Sequence, residues 1–228
     1  MAAPKDTPSP SGRRIGTRSP RAARARGVAR RLAEAWPDSG CALHHASALE
    51  LLVSTILSAQ CTDARVNLVT PGLFRRWPDA AALAGAPLEE LAAAVHSCGY
   101  HNQKARSIQG ACRILCEEHG GVVPDALEPL VRLPGVGRKT ANCVLGTWYG
   151  QPAVVVDTHM IRILGLLGLV DSKDPEAIER EVMELLPPEA WVVFTHRIID
   201  HGRAVCIARR PRCGGCVLRD LCPSALAG

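Results

Sequence analysis

Nowhere among the 228 residues do eighteen apolar residues run together, which excludes a helix that crosses a membrane. Aromatic residues are scarce, at 4 %, and strands draw heavily on aromatic and β-branched side chains. Long Ala/Leu-rich segments stand in their place and point to an α-helical protein. The N-terminus lacks the apolar core of a secretory signal, so disulfide chemistry of the exported kind is not expected. The ten cysteines, several of them clustered, then read as metal-binding thiolates plus buried thiols. Acid is nearly missing from the start of the chain: residues 1–31 hold Lys5 and eight arginines against Asp6 alone, a net of +8. The other 197 residues carry 18 bases and 21 acids, a net of −3, so the basic signal belongs to the tail and to local clusters.

Residues 1–26 are rich in Pro, Ser, Gly and Arg and have little to bury, which predicts a disordered basic tail. Such a tail could hold duplex phosphates, be a solvated extension, or be an organellar transit peptide. The periodicity beyond it predicts helices over 47–61, 63–77, 88–96, 103–119, 137–149, 157–167, 175–186 and 190–201, and no strand. Pro71-Gly72 is expected to break or kink the second of these.

Three constellations carry chemistry. Cys206-x6-Cys213-x2-Cys216-x5-Cys222 places four thiolates within seventeen residues, enough to close a loop around one metal centre. Zinc sites usually present two short knuckles and here there is one; the unequal spacing suits a cubane iron–sulfur cluster better without settling the matter. Arg203, Arg209, Arg210 and Arg212 surround these ligands and could offset their charge or meet phosphates. In Leu133-Pro134-Gly135-Val136-Gly137-Arg138-Lys139, two glycines permit a tight hairpin at a helix N-terminus, which is either a plain helix–helix turn or a site for one phosphate. Lys139 falls in the first turn of that helix, where the dipole disfavours its charge, as suits an amine nucleophile. Val154-Val155-Val156-Asp157-Thr158-His159 ends on an acid that either caps the next helix or stabilises positive charge developing on a substrate.

Together these features resemble the endonuclease III family, bifunctional DNA glycosylases of the helix-hairpin-helix superfamily. Leu57-Ser58-Ala59-Gln60-Cys61-Thr62-Asp63, Gly99-Tyr100-His101-Asn102-Gln103-Lys104-Ala105 and His201-Gly202-Arg203 add to the match, which runs from about Val28 to Cys222. The resemblance implies an all-α fold of two helical domains flanking a DNA-binding cleft. A six-helix barrel with the helix-hairpin-helix would span 43–151, and a [4Fe-4S] cluster domain would combine 27–42 with 152–228. It implies catalysis by Lys139 and Asp157 and a [4Fe-4S] cluster on Cys206, Cys213, Cys216 and Cys222. Gly135, Val136, Gly137 and Arg138 would grip a backbone phosphate, with Arg209, Arg210 and Arg212 adding contacts. Gln60 and Tyr100 would fill the gap left by a flipped nucleotide, and His159 would line the cleft.

The implied reaction removes oxidised pyrimidines such as thymine glycol and cuts the strand by β-elimination through a lysine Schiff base. The implied partner is double-stranded DNA with damaged pyrimidines or abasic sites. No membrane partner is expected; a monomer in the cytoplasm, associated with the nucleoid, is. Two other readings are a monofunctional mismatch glycosylase and a damage-binding paralogue with weak or no catalysis; Lys139 argues against the first, and the Lys139–Asp157 pair against the second. Three positions depart from the family pattern: Tyr100 replaces an aliphatic wedge, Pro71-Gly72 interrupts a helix, and Asp200 stands where an apolar residue is expected and would need a partner if buried.

Overall fold

Small apolar residues at helical spacing open the described chain. The computed structural model describes residues 20–226. Helix α1 spans Pro20–Ala35, with Ala22, Ala25, Val28 and Leu32 buried along one side. It takes in the last seven residues, 20–26, of the expected disordered tail. The signal was there: alanines at i and i+3 continue the stripe of Val28 and Leu32, and proline is favoured in a first helical turn. The rest of the predicted tail lies outside the described residues.

The following elements are α2 (Ala48–Ser58), α3 (Asp63–Arg76), α4 (Ala80–Gly85), α5 (Leu88–Ala94), α6 (His101–His119), α7 (Leu127–Val131), α8 (Arg138–Thr147), α9 (Thr158–Leu166), α10 (Pro175–Leu185), α11 (Trp191–Ala204) and α12 (Pro223–Leu226). Among the described residues there is no strand, and no helix is long and apolar enough to cross a membrane. Side-chain caps set several starts: Ser47, Thr62, Asp79, Asp157 and Asp174 each accept from a backbone N–H in the first turn of the helix that follows. Helix α6 ends at Gly120, whose φ of +59° continues no helix.

Helix α3 runs through Pro71 without the break that is one of the two expected outcomes. Packing outweighs the missing donor. Val66, Thr70 and Leu73 bury one face, and the Asn67 amide donates to Ala42 O (2.8 Å) while its oxygen accepts from His44 N (2.9 Å).

Buried residues fall into two clusters. One gathers α2 to α8, from Leu43 to Leu145, plus Val155. The other joins α1 to α9, α10 and α11 across more than a hundred residues of sequence. Ion pairs span the two. Arg138 on α8 grips Glu179 on α10 through Nε (2.7 Å) and Nη2 (3.0 Å), and Arg203 on α11 reaches Asp63 on α3 at 2.6 Å.

Candidate active site and nucleic-acid interface

Helix α8 starts at Gly137, which has no side chain to cap it, so the N–H groups of its first turn are left over by the helical ladder. Lys139 stands exposed in that turn. One turn on, the Asn142 amide donates to Val154 O at 2.9 Å and ties α8 to the extended segment that ends at Asp157. This bond brings two residues eighteen apart in sequence to one place. Asp157 caps α9, its Oδ1 accepting from Met160 N at 2.8 Å. Capping and chemistry are therefore compatible: the same helix N-terminus that Asp157 caps stabilises its negative charge.

Lys139 and Asp157 line one cavity of about 90 Å³. Its walls include Cys41, Thr55, Ser58, Asp63, Cys143, His196, Asp200 and Arg203, drawn from both clusters. Burial holds His196 below its ordinary value, with Arg203 acting the same way and Asp200 against them. A neutral imidazole there can accept as well as donate. Asp200 has its partner: Ser39 Oγ donates to Oδ2 at 2.6 Å.

The turn before α8 is held by close approach. Gly135 has φ +77°, and a Cβ at that position would lie 2.6 Å from Ser107 Cβ on α6. Pro134 sits against Gly110 of the same helix. Val136 is buried, so any phosphate contact at this residue is made by backbone. Arg138 is committed to Glu179, which is 5 % exposed at its side chain.

Gln60 and Tyr100 are the only non-glycine residues with positive φ among the described residues, at 54° and 47°. Both are exposed, Tyr100 by 68 %. Strain of this kind persists only where neighbours impose it. Buried Lys104 supplies the restraint: its Nζ donates to Leu57 O (2.7 Å) and to Cys98 O (2.8 Å), tying the loop of Gln60 to the loop of Tyr100. Lys104→Met keeps the length and leaves two buried carbonyls unpaired. It is expected to destabilise the fold by about 2–4 kcal/mol, which thermal denaturation would show as a Tm lower by roughly 4–16 °C.

The four C-terminal cysteines converge. Cys206, Cys213, Cys216 and Cys222 line one small cavity of about 30 Å³, closed by Ile163, Leu166, Leu167, Val205 and Leu218. Burial raises the Cys216 thiol, and the other three add to the effect, as thiols sharing one space do. Arg162 donates to Cys206 Sγ (3.4 Å), Leu218 N donates to Cys216 Sγ (3.4 Å), and His201 Nε2 lies 3.5 Å from Cys216 Sγ. Donors aimed at sulfur suit thiolate ligands. Four thiols around one apolar space, with donors aimed at their sulfurs, fit an iron–sulfur cluster. Arg209, Arg210 and Arg212 are exposed beside them.

The structure thus brings Lys139 together with Asp157, and the four cysteines with one another. It places His159 elsewhere, with Nδ1 3.5 Å from an Arg162 nitrogen and against Gly202 rather than on the shared cavity. Sequence reading missed Cys41, Thr55, Asp63 and His196 as cavity residues. Only Asp63 offered a signal, standing at the end of a segment already singled out.

Residues 53–188 match the model of the HhH-GPD superfamily base excision DNA repair proteins, and 206–222 match the iron-sulfur binding domain of endonuclease III. Endonuclease III of Synechocystis is 52 % identical over 197 residues, 86 % of this chain and 90 % of that protein. Endonuclease III of Escherichia coli K12 is 42 % identical over 192 residues, 84 % and 91 % of the two chains. A solved structure of a trapped endonuclease III–DNA covalent intermediate superposes with a TM-score of 0.86 at 40 % identity, covering 90 % of this chain and 97 % of that one. A thermostable thymine-DNA glycosylase, at 20 % identity and TM-score 0.82, shares the fold.

Proposed function

The chain belongs to the endonuclease III family of base-excision DNA glycosylases with AP lyase activity, and from that premise we propose that Lys139 is its nucleophile and Asp157 its charge-stabilising acid. The observation that carries the reading is the shared cavity: an exposed amine and a helix-capping carboxylate line one space between the two clusters. The Lys139 amine attacks C1′ of a nucleotide flipped from the stack, forming a C–N bond as the base departs with the glycosidic electron pair. Asp157 offsets positive charge on the sugar during that departure and accepts a proton from the amine. The C1′–O4′ bond of the aminal then breaks, O4′ takes up a proton as the ring opens to the Schiff base, and removal of a C2′ proton expels the 3′ phosphate. Flipping costs a few kcal/mol and least for a poorly stacked lesion, which favours oxidised pyrimidines such as thymine glycol and abasic sites as substrates.

Gln60 and Tyr100 are held outward in strained conformations and fill the vacated gap. The N–H groups around Gly135, Val136, Gly137 and Arg138 take a phosphate. Arg209, Arg210 and Arg212 add contacts that weaken with salt, and His159 buttresses the cleft from beside Gly202. The cluster on Cys206, Cys213, Cys216 and Cys222, when bound, supplies a covalent staple for the basic loop. We assign the first buried cluster, residues 43–151, to a barrel domain and the second, with α1, to a cluster domain. The protein acts as a monomer on nucleoid DNA.

Borohydride trapping tests this. A covalent adduct is expected on duplexes containing thymine glycol or an abasic site, and none with Lys139→Ala. Tight DNA binding with no adduct on either duplex would favour a damage-binding protein without catalysis. An adduct on the abasic site alone would keep the nucleophile and reject thymine glycol as substrate.

A further inference from the structure

Six cysteines remain outside the cluster loop, and four of them meet in pairs. Cys41 lies between α1 and α2, and Cys143 lies on α8 one turn beyond Lys139. Both line the cavity that holds Lys139 and Asp157. Thr55 Oγ1 approaches Cys143 Sγ at 3.9 Å. We propose that Cys41 and Cys143 are a peroxide-sensitive dithiol whose oxidation to a disulfide disables the active-site cavity.

Contact with the Cys41 thiol, reinforced by Thr55 and Lys139, holds the Cys143 thiol below its ordinary value despite burial. Cys143, beside the Thr55 hydroxyl and one turn beyond Lys139, is the attacking sulfur. Its thiolate attacks one oxygen of hydrogen peroxide: an S–O bond forms, the O–O bond breaks, and hydroxide leaves to take up a proton as water. The Cys41 sulfur then attacks Cys143 Sγ: the S–S bond forms, the S–O bond breaks, and a second water departs. Two thiols and one peroxide give one disulfide and two waters, the two electrons passing from sulfur to peroxide. A cavity of about 90 Å³ admits an oxidant of that size.

The second pair, Cys61 with Cys98, lacks this activation, since burial pushes the Cys98 thiol up to about 11. Closing the first pair brings the two sulfurs to about 2.05 Å across the shared cavity and draws α8 toward the segment before α2. Lys139 is on the same face of α8, and a misplacement near 1 Å can cost about a hundred-fold in rate. The loss of activity rests on the assignment of Lys139; formation of the bond does not.

Cluster-loaded protein is treated with a few equivalents of hydrogen peroxide while visible absorbance reports that the cluster is intact. It is then alkylated, digested without reductant and analysed by mass spectrometry. A cross-linked peptide joining Cys41 to Cys143 is expected. With it comes a loss on the order of ten-fold or more in abasic-site cleavage, restored by dithiothreitol. Cys41→Ser and Cys143→Ala, each compared with itself before and after peroxide, are expected to keep their own rates. The proposal is overturned if both cysteines stay alkylatable at doses that consume other thiols, or if the Cys61–Cys98 link dominates. A Cys41–Cys143 link that leaves cleavage unchanged also overturns it. If Lys139→Ala cleaves as well as the unaltered protein, the nucleophile assignment fails separately, and peptide mapping still decides the bond.

Discussion

Asp157→Asn is expected to slow base excision by about two to three orders of magnitude while leaving Tm within about 2 °C of the unaltered protein. The reason is that Asp157 caps a helix and is also the proposed charge-stabilising acid, and asparagine separates the two. Its Oδ1 caps α9 through Met160 N, and asparagine caps as well as aspartate does. The negative charge facing Lys139 across the cavity is lost. Asp157→Ala removes both and should add a stability cost of about 1 kcal/mol, a Tm lower by about 2–4 °C. Single-turnover kinetics on a thymine glycol duplex, run beside thermal melts, measure the two effects independently. An asparagine variant that excises at the unaltered rate would reduce Asp157 to a cap.

Gly135→Ala should damage the molecule through its backbone. A left-handed φ costs a non-glycine residue about 1–2 kcal/mol. The new Cβ would also stand 2.6 Å from Ser107 Cβ, within helix α6 where little can give. Overpacking of that kind adds about 1–3 kcal/mol. We expect a total near 2–5 kcal/mol and a loss of DNA affinity on the order of ten-fold or more, because the turn that presents the N–H groups must shift. Ser107→Gly supplies the control. It removes the obstructing atoms at a helix-propensity cost of about 1 kcal/mol, so the double variant should recover affinity in part. Fluorescence anisotropy on an abasic-site analogue would show it. No recovery would mean that φ alone sets the penalty.

The sequence announced the helices whose apolar spacing is long, among them α2, α6, α9 and α10. It did not announce α4 and α7. These are six and five residues long, too short for a period to emerge, and they form because Leu83 and Leu130 are wanted by the core. The four cysteines and the Lys139 turn were legible because their chemistry requires neighbours in sequence. The cavity around Lys139 was not, since Cys41, Asp63, His196 and Arg203 come together only when the two clusters close on each other. The engagement of Arg138 with Glu179 was hidden for the same reason: forty-one residues separate the partners.

The long return path of α1 bears on biosynthesis. Its buried residues share a core with Val154 and later positions, and Arg31 donates to Val217 O at 2.9 Å, 186 residues away. At a translation rate of about 5–20 residues per second, roughly 10–40 s separate the emergence of α1 from that of its partners. The residues between Leu43 and Leu145 form a contiguous core meanwhile, needing nothing from either end but Val155. Helix α1 must wait with its inner stripe in water. That stripe is two alanines, one valine and one leucine among arginines, a composition with little to tempt a nascent chain into association on the ribosome.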